Sequence, residues 1–151
     1  MSNCFCMMNK VCDVVHNCVS EDAAKLILRL TIGILVLFHG IFKVTNPGAV
    51  DWIGGLFTSI HLPGFLAYLV YIGEIVAPIM LIMGYRTKLA AALIVITIVV
   101  AILLAHLGEV FTLGATGAPA IELQLMYLFG AVAIMGLGAG KYSFCKKKEL
   151  V

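Results

Sequence analysis

Residues 26–44 read LILRLTIGILVLFHGIFKV, an almost unbroken apolar run with only three ionisable side chains, Arg29, His39 and Lys43. A helix needs about 20 mostly apolar residues to cross the ~30 Å hydrocarbon core of a bilayer. This run, extended by Lys25, meets that length. Three further segments match it at 65–84, 88–107 and 121–140. The breaks between them are punctuated by turn residues: Thr45-Asn46-Pro47-Gly48, His61-Leu62-Pro63-Gly64, Gly84-Tyr85-Arg86-Thr87 and Gly114-Ala115-Thr116-Gly117-Ala118-Pro119.

The composition agrees with lipid as the main solvent. Of 151 residues, 62% are hydrophobic and 12% charged, and mean hydropathy is +1.10. Soluble domains carry about twice that share of charge, which is what covers their water-facing surface. A soluble all-helical core is the competing reading, but four such runs leave little chain to shield them. Nucleic-acid binding is excluded, because the only basic cluster is Lys146-Lys147-Lys148, without interleaved aromatics. The predicted fold is all-α: a four-transmembrane-helix bundle. The chain divides into a Cys-containing N-terminal segment (1–24), a membrane domain (25–144) and a basic tail (145–151). The first 22 residues lack the uninterrupted apolar core of a secretory signal, so they read as part of the mature chain.

Lysine and arginine in short loops set orientation. Lys10, Lys25 and Arg29 flank the start of the first run, Arg86 and Lys88 occupy the second connection, and Lys141 follows the fourth run. The first and third connections carry Asp51 and Glu109. Both N and C termini are therefore expected to be cytoplasmic. The first external loop contains Trp52, Ile53, Leu56, Phe57 and Ile60 at helical spacing. That spacing predicts a short interfacial helix with Trp52 at headgroup depth; an ordinary loop packed on the helix ends is the alternative.

Ionisable groups at membrane depth are costly, about 2.5–3.5 kcal/mol each on insertion scales, and normally face protein or a water-filled cavity. At ~1.5 Å per residue from the cytoplasmic ends, His39 lies at ~20 Å and Glu74 at ~15 Å. Lys43, His106 and Glu122 fall near ~26 Å, with Gln124 just below. His39 is thus within reach of Glu74 if their faces meet, and Lys43, one turn further on the same face, is expected level with His106 and Glu122. Pro78 has no N–H and deprives the Glu74 carbonyl of its helical partner, which predicts a kink beside the deepest carboxylate. Two readings fit the cluster of His39, Lys43, Glu74, His106 and Glu122: an ion-pair network that fixes helix order, or a pocket for a polar headgroup, proton or redox ligand.

Cys4, Cys6, Cys12, Cys18 and Cys145 all fall on the predicted cytoplasmic side, where thiols stay reduced. No cysteine in a span or external loop argues against a dithiol relay. Cys4, Cys6, Cys12, His16 and Cys18 are the weak metal candidates, since their spacing departs from paired Cys-x2-Cys units. The remaining reading is an unstructured reduced tail. Gly136-Leu137-Gly138-Ala139-Gly140 serves either as a close-packing GxxxG or as a helix stop. No GxGxxG, HExxH or GxSxG motif occurs.

Taken together, several marks resemble the DoxX family of small four-helix membrane proteins of bacteria and archaea. They are Leu28-Arg29-Leu30, the HGxxK of residues 39–43, Glu74 followed by Leu81-Ile82-Met83-Gly84-Tyr85-Arg86-Thr87, Ala101 with His106, Glu122, and Gly138-Ala139-Gly140-Lys141-Tyr142-Ser143. The chain departs from that pattern at Phe144-Cys145 and in its cysteine-bearing start. The resemblance implies a multi-pass protein of a bacterial or archaeal cytoplasmic (inner) membrane. It also implies association with an oxidoreductase, as an accessory subunit of a thiosulfate:quinone or quinol-oxidising assembly.

Three functions follow as expectations. The first is a redox-linked membrane subunit that binds a quinone or other small amphiphile in an outer-leaflet polar pocket and leaves the chemistry to a partner redox subunit. The second is a proton-coupled transporter of a small solute or metal ion. The third is a structural or assembly subunit with no ligand. Its partners are the lipid bilayer, such a redox subunit and, since four helices bury little interior, a second copy in a homodimer.

Overall fold

The computed structural model of the protein describes residues 20–115 and 117–144. Among them the chain forms five helices: α1 (Glu21–Thr45), α2 (Pro47–Ser59), α3 (Gly64–Met83), α4 (Thr87–Ala105) and α5 (Glu122–Leu137). Helices α1, α3 and α4 are long and apolar enough to span a bilayer, with 25, 20 and 19 residues. The fourth apolar helix, α5, has 16 residues, or ~24 Å. It stops short of the expected 121–140 because Gly138 takes a left-handed φ of 74° and turns the chain. A Cβ at Gly136 would meet nothing within 4 Å. The glycine run thus stops the helix, and its last member, Gly140, lies close to α1, where a Cβ would stand 3.3 Å from Asp22 Oδ1 and Lys25 Cβ.

Local chemistry explains the boundaries. Ser20 caps α1 by accepting a bond from Ala23 N at 3.2 Å, and Glu21 and Asp22 sit in the first turn, where negative charge suits the helix dipole. At the other end the Asn46 backbone and side-chain N–H groups both bond Phe42 O at 2.9 Å, and Pro47 opens α2 at a position that needs no N–H donor. Helix α3 is composite: a 3-10 stretch over Gly64–Leu69, a π turn over Ile72–Val76, then regular α-helix from Ala77. The π turn sits where Pro78 removes a donor. There the backbone widens so that Ala77 N bonds Ile72 O, five residues back, and regular α-helix continues from Ala77.

The helices ring a common core in the order α1, α3, α4, α5. Alanines 77, 90, 91 and 131 let the backbones approach, and Ile94, Leu81, Ile134 and Val36 fill the space between. Gly33 and Gly40, one heptad apart on α1, face α3. A Cβ at Gly33 would lie 2.8 Å from Ile82 Cγ1, and one at Gly40 would overlap the Glu74 carbonyl oxygen. The outward surface is apolar, with Ile27, Phe38, Phe42, Leu69, Ile96 and Phe129 exposed. A monomeric soluble protein rarely leaves so much apolar surface open, but this surface suits lipid.

Two ends are distinguished. At the tail end, Arg29 is only 2% exposed and donates to Ala139 O at 2.7 Å and Tyr142 O at 2.6 Å. Asp22 Oδ1 accepts from Lys141 N at 2.9 Å. Arg29, counted from sequence among the charges that set orientation, is thus the clamp that fastens segment 139–142 to α1. At the cap end, α2 lies across the start of α3 and touches α4. The helix expected at residues 50–60 is present; Ile53, Leu56 and Phe57 are partly covered by the protein, while Trp52 and Ile60 remain exposed.

Candidate functional site

Beside α2 lies a half-open cavity of about 350 Å3 bordered by α1, α2, α3 and α4. Trp52, Ile53, Leu56 and Phe57 of α2 roof it, and Leu66, Val70, Val100, Ala101 and Leu104 form its walls. The spacing at 52, 53, 56 and 57 is therefore the signature of a lid over a hollow. Its polar groups are few: Lys43, Glu74, Thr97 and His106. Thr97 Oγ1 donates to Leu93 O at 2.9 Å within its own helix. His106 stands at the rim, with Nδ1 2.9 Å from Glu109 Oε2.

The floor is an ion pair between Lys43 Nζ and Glu74 Oε2 at 2.5 Å, with side chains 17% and 9% exposed. By height along the helix axes Lys43 stands level with His106 and Glu122, yet its bonded partner is Glu74, for a geometric reason. Helical side chains lean toward the N-terminus, so the long stem of Lys43 runs back along α1 to the level of Glu74. Tyr71 donates to Lys43 O at 3.3 Å and ties the last turn of α1 to α3. Gly40, one turn before, lets α1 lie against the Glu74 backbone. The HGxxK spacing thus has two uses, a bare glycine for contact and a lysine for the pair.

His39 does not join the cavity. Four residues turn a helix by 400°, so His39 is offset from Lys43 by about 40°. Its ring leans to α5, where it makes an edge contact with Tyr127 at 5.7 Å between centroids and lies 3.4 Å from the Tyr127 hydroxyl. Glu122 is exposed in the first turn of α5, and neither it nor Gln124 lines the cavity. The five residues expected together therefore divide: Lys43 and Glu74 bonded, His106 at the same cavity's rim, His39 and Glu122 elsewhere. Cys4, Cys6, Cys12, His16 and Cys18 lie outside the described residues, as does Cys145. Among the described residues no three His, Cys, Asp or Glu side chains gather to hold a metal ion.

An apolar hollow of this size, with one convergent polar spot, is the usual form of a small-molecule site. Burying the two charges is costly, and their attraction repays it only with good geometry. Their burial on the wall of an open space is the feature that calls for an explanation.

The DoxX family profile matches residues 24–107. The chain belongs to the DoxX family. The matched stretch holds both members of the ion pair and every residue lining the cavity, while α5 lies beyond it. A protein of Bacillus subtilis (strain 168) named "Putative oxidoreductase CatD" is similar to this DoxX protein, at 29% identity over 93 residues. That alignment covers 61% of this chain and 66% of the relative's length. No solved structure matches the chain. This DoxX chain is thus a multi-pass membrane protein by family and by its apolar spans.

Proposed function

We propose that this protein is a redox-linked membrane subunit that holds a quinone-like or other small amphiphile in the cavity beneath α2. The observation that carries the reading is the cavity itself: apolar walls over a buried Lys43–Glu74 pair, roofed by a helix. An amphiphile's apolar body suits the walls, and its polar head suits the pair. A quinone carbonyl fits as an acceptor for Lys43, which retains unused N–H donors. The redox link rests on the name of the Bacillus relative and on the family. Electron transfer then belongs to a partner subunit, with this chain binding and orienting the ligand.

The proposed orientation places the tail end in the cytoplasm. Lys25, Arg29, Arg86, Lys88 and Lys141 gather at that end, and Asp51 and Glu109 mark the cap end. In that orientation α5 is the fourth span, the cavity lies in the outer leaflet, and α2 lies at the outer interface of a bacterial or archaeal cytoplasmic membrane. Mass spectrometry of lipids, quinones and metals retained by gently purified protein tests the reading. A stoichiometric amphiphile is expected. Protein free of any, or carrying a metal instead, overturns it.

A further inference from the structure

The proposed amphiphile has a head group whose chemistry the ion pair specifies. Lys43 Nζ carries three protons and spends one on Glu74 Oε2. Among the described residues no other group bonds this ammonium, and none bonds Glu74 Oε1. Oε1 is also absent from the fully enclosed atoms that lack a partner, which are Arg29 Nε and Thr87 Oγ1. The floor of the cavity therefore offers unused donors beside an unused acceptor, on side chains with little other exposure. Of the other polar wall groups, Thr97 already gives its hydroxyl proton to Leu93 O and His106 holds Glu109 through Nδ1, so neither offers the paired donor and acceptor found at the floor.

We infer that the cavity selects a neutral hydroxyl head, phenolic or alcoholic, on a single-ring or short-chain apolar body. A hydroxyl is donor and acceptor on one atom. It donates to Glu74 Oε1 and accepts from Lys43 Nζ, which satisfies both halves of the pair. A ketone, ester or ether accepts from Lys43 but leaves Oε1 desolvated and unpartnered, the costly case for a buried acceptor. A carboxylate head sets a second negative charge against Glu74, and an ammonium head a second positive charge against Lys43. The pair is neutral as a unit and so favours a neutral ligand. The expected discrimination between a hydroxyl and its ether is on the order of tenfold to a hundredfold, the range left by one unpaired buried acceptor. For a ligand with quinone and hydroquinone forms, the reduced form is held more tightly. Each tenfold of preference raises its bound two-electron potential by about 30 mV.

This inference rests on the amphiphile reading, and one experiment separates the two. The full chain in detergent is titrated with para-butylphenol and with its methyl ether, following calorimetric heat and the fluorescence of Trp52. That residue is the only tryptophan in the chain and roofs the cavity. Ala101→Phe, which fills the hollow, supplies the baseline for micelle partitioning. The phenol is expected to bind at least about tenfold more tightly than the ether. In Glu74→Gln an amide N–H replaces the free acceptor, so the preference is expected to vanish or reverse. Equal affinities, or a tighter ether, in the unmodified chain overturn the hydroxyl inference and leave the amphiphile site standing. Absence of saturable binding by either compound overturns both.

Discussion

Replacing Gly40 with alanine adds one methyl group on the face of α1 that packs against α3. The new Cβ would stand 2.7 Å from Ile75 Cγ1 and 2.8 Å from the Glu74 carbonyl carbon, and nearer still to its oxygen. Carbon atoms rest at about 3.5–4.0 Å, so the two helices must part by roughly 1 Å at this level. Ile75 can rotate away, but the Glu74 carbonyl belongs to a backbone fixed by the π turn. Overpacking of a fitted interior costs about 1–3 kcal/mol, and a backbone obstacle places Gly40→Ala in the upper half of that range. Alanine also gains up to about 1 kcal/mol of helix propensity over glycine. Gly136→Ala isolates that gain, since its Cβ meets nothing within 4 Å. The two variants should therefore differ by about 2–3 kcal/mol in unfolding followed by circular dichroism and Trp52 fluorescence in one detergent. Parting α1 from α3 also loosens the Lys43–Glu74 pair, so Gly40→Ala should retain less ligand than Gly136→Ala. Equal stability of the two variants would refute the role given to Gly40.

Lys43→Met leaves Glu74 buried without its cation and should cost about 3–5 kcal/mol of stability, whereas Lys43→Met with Glu74→Met should return to within about 1 kcal/mol of the parent. Chemical unfolding of the three proteins decides this, and a double variant as unstable as the single one would contradict it. Arg29→Lys replaces a two-carbonyl fork by a single point of contact and should cost about 2 kcal/mol; faster proteolytic cleavage after Lys141 is the readout, and unchanged cleavage counts against the clamp. An impermeant maleimide applied to intact cells should label none of the cysteines at 4, 6, 12, 18 and 145, and label them only after permeabilisation. Labelling from outside would reverse the proposed orientation.

The spans were legible because apolar runs of near-membrane length leave few alternatives, and 65–84 and 88–107 became α3 and α4 with ends shifted by at most two residues. The end of the fourth was misjudged because a glycine with φ of 74° stops a helix whatever its hydropathy. The polar cluster was only half legible. Heights counted along helix axes brought Lys43 level with His106, and both do border one cavity. Such heights ignore how far a lysine stem reaches back and which neighbour each face meets, so they do not show that Glu74 bonds Lys43 while His39 turns to Tyr127. The lid was hidden for a related reason: spacing at 52, 53, 56 and 57 shows an apolar face but not what it covers. Pro78 pointed to an irregular α3, and the irregularity is a π turn, a form the missing donor alone does not specify. The clamp at Arg29 showed only as a charge and as part of the Leu28-Arg29-Leu30 mark, neither of which says what the guanidinium holds.

The central claim is that the space beneath α2 is kept for an amphiphile. Ala101→Phe tests it most directly, because Ala101 lines the cavity and is not a member of the ion pair. Native mass spectrometry of the parent and this variant, purified side by side, should show a bound amphiphile on the parent and none on Ala101→Phe, with both proteins equally helical. An amphiphile retained equally by the filled variant, or found on neither protein, would contradict the account.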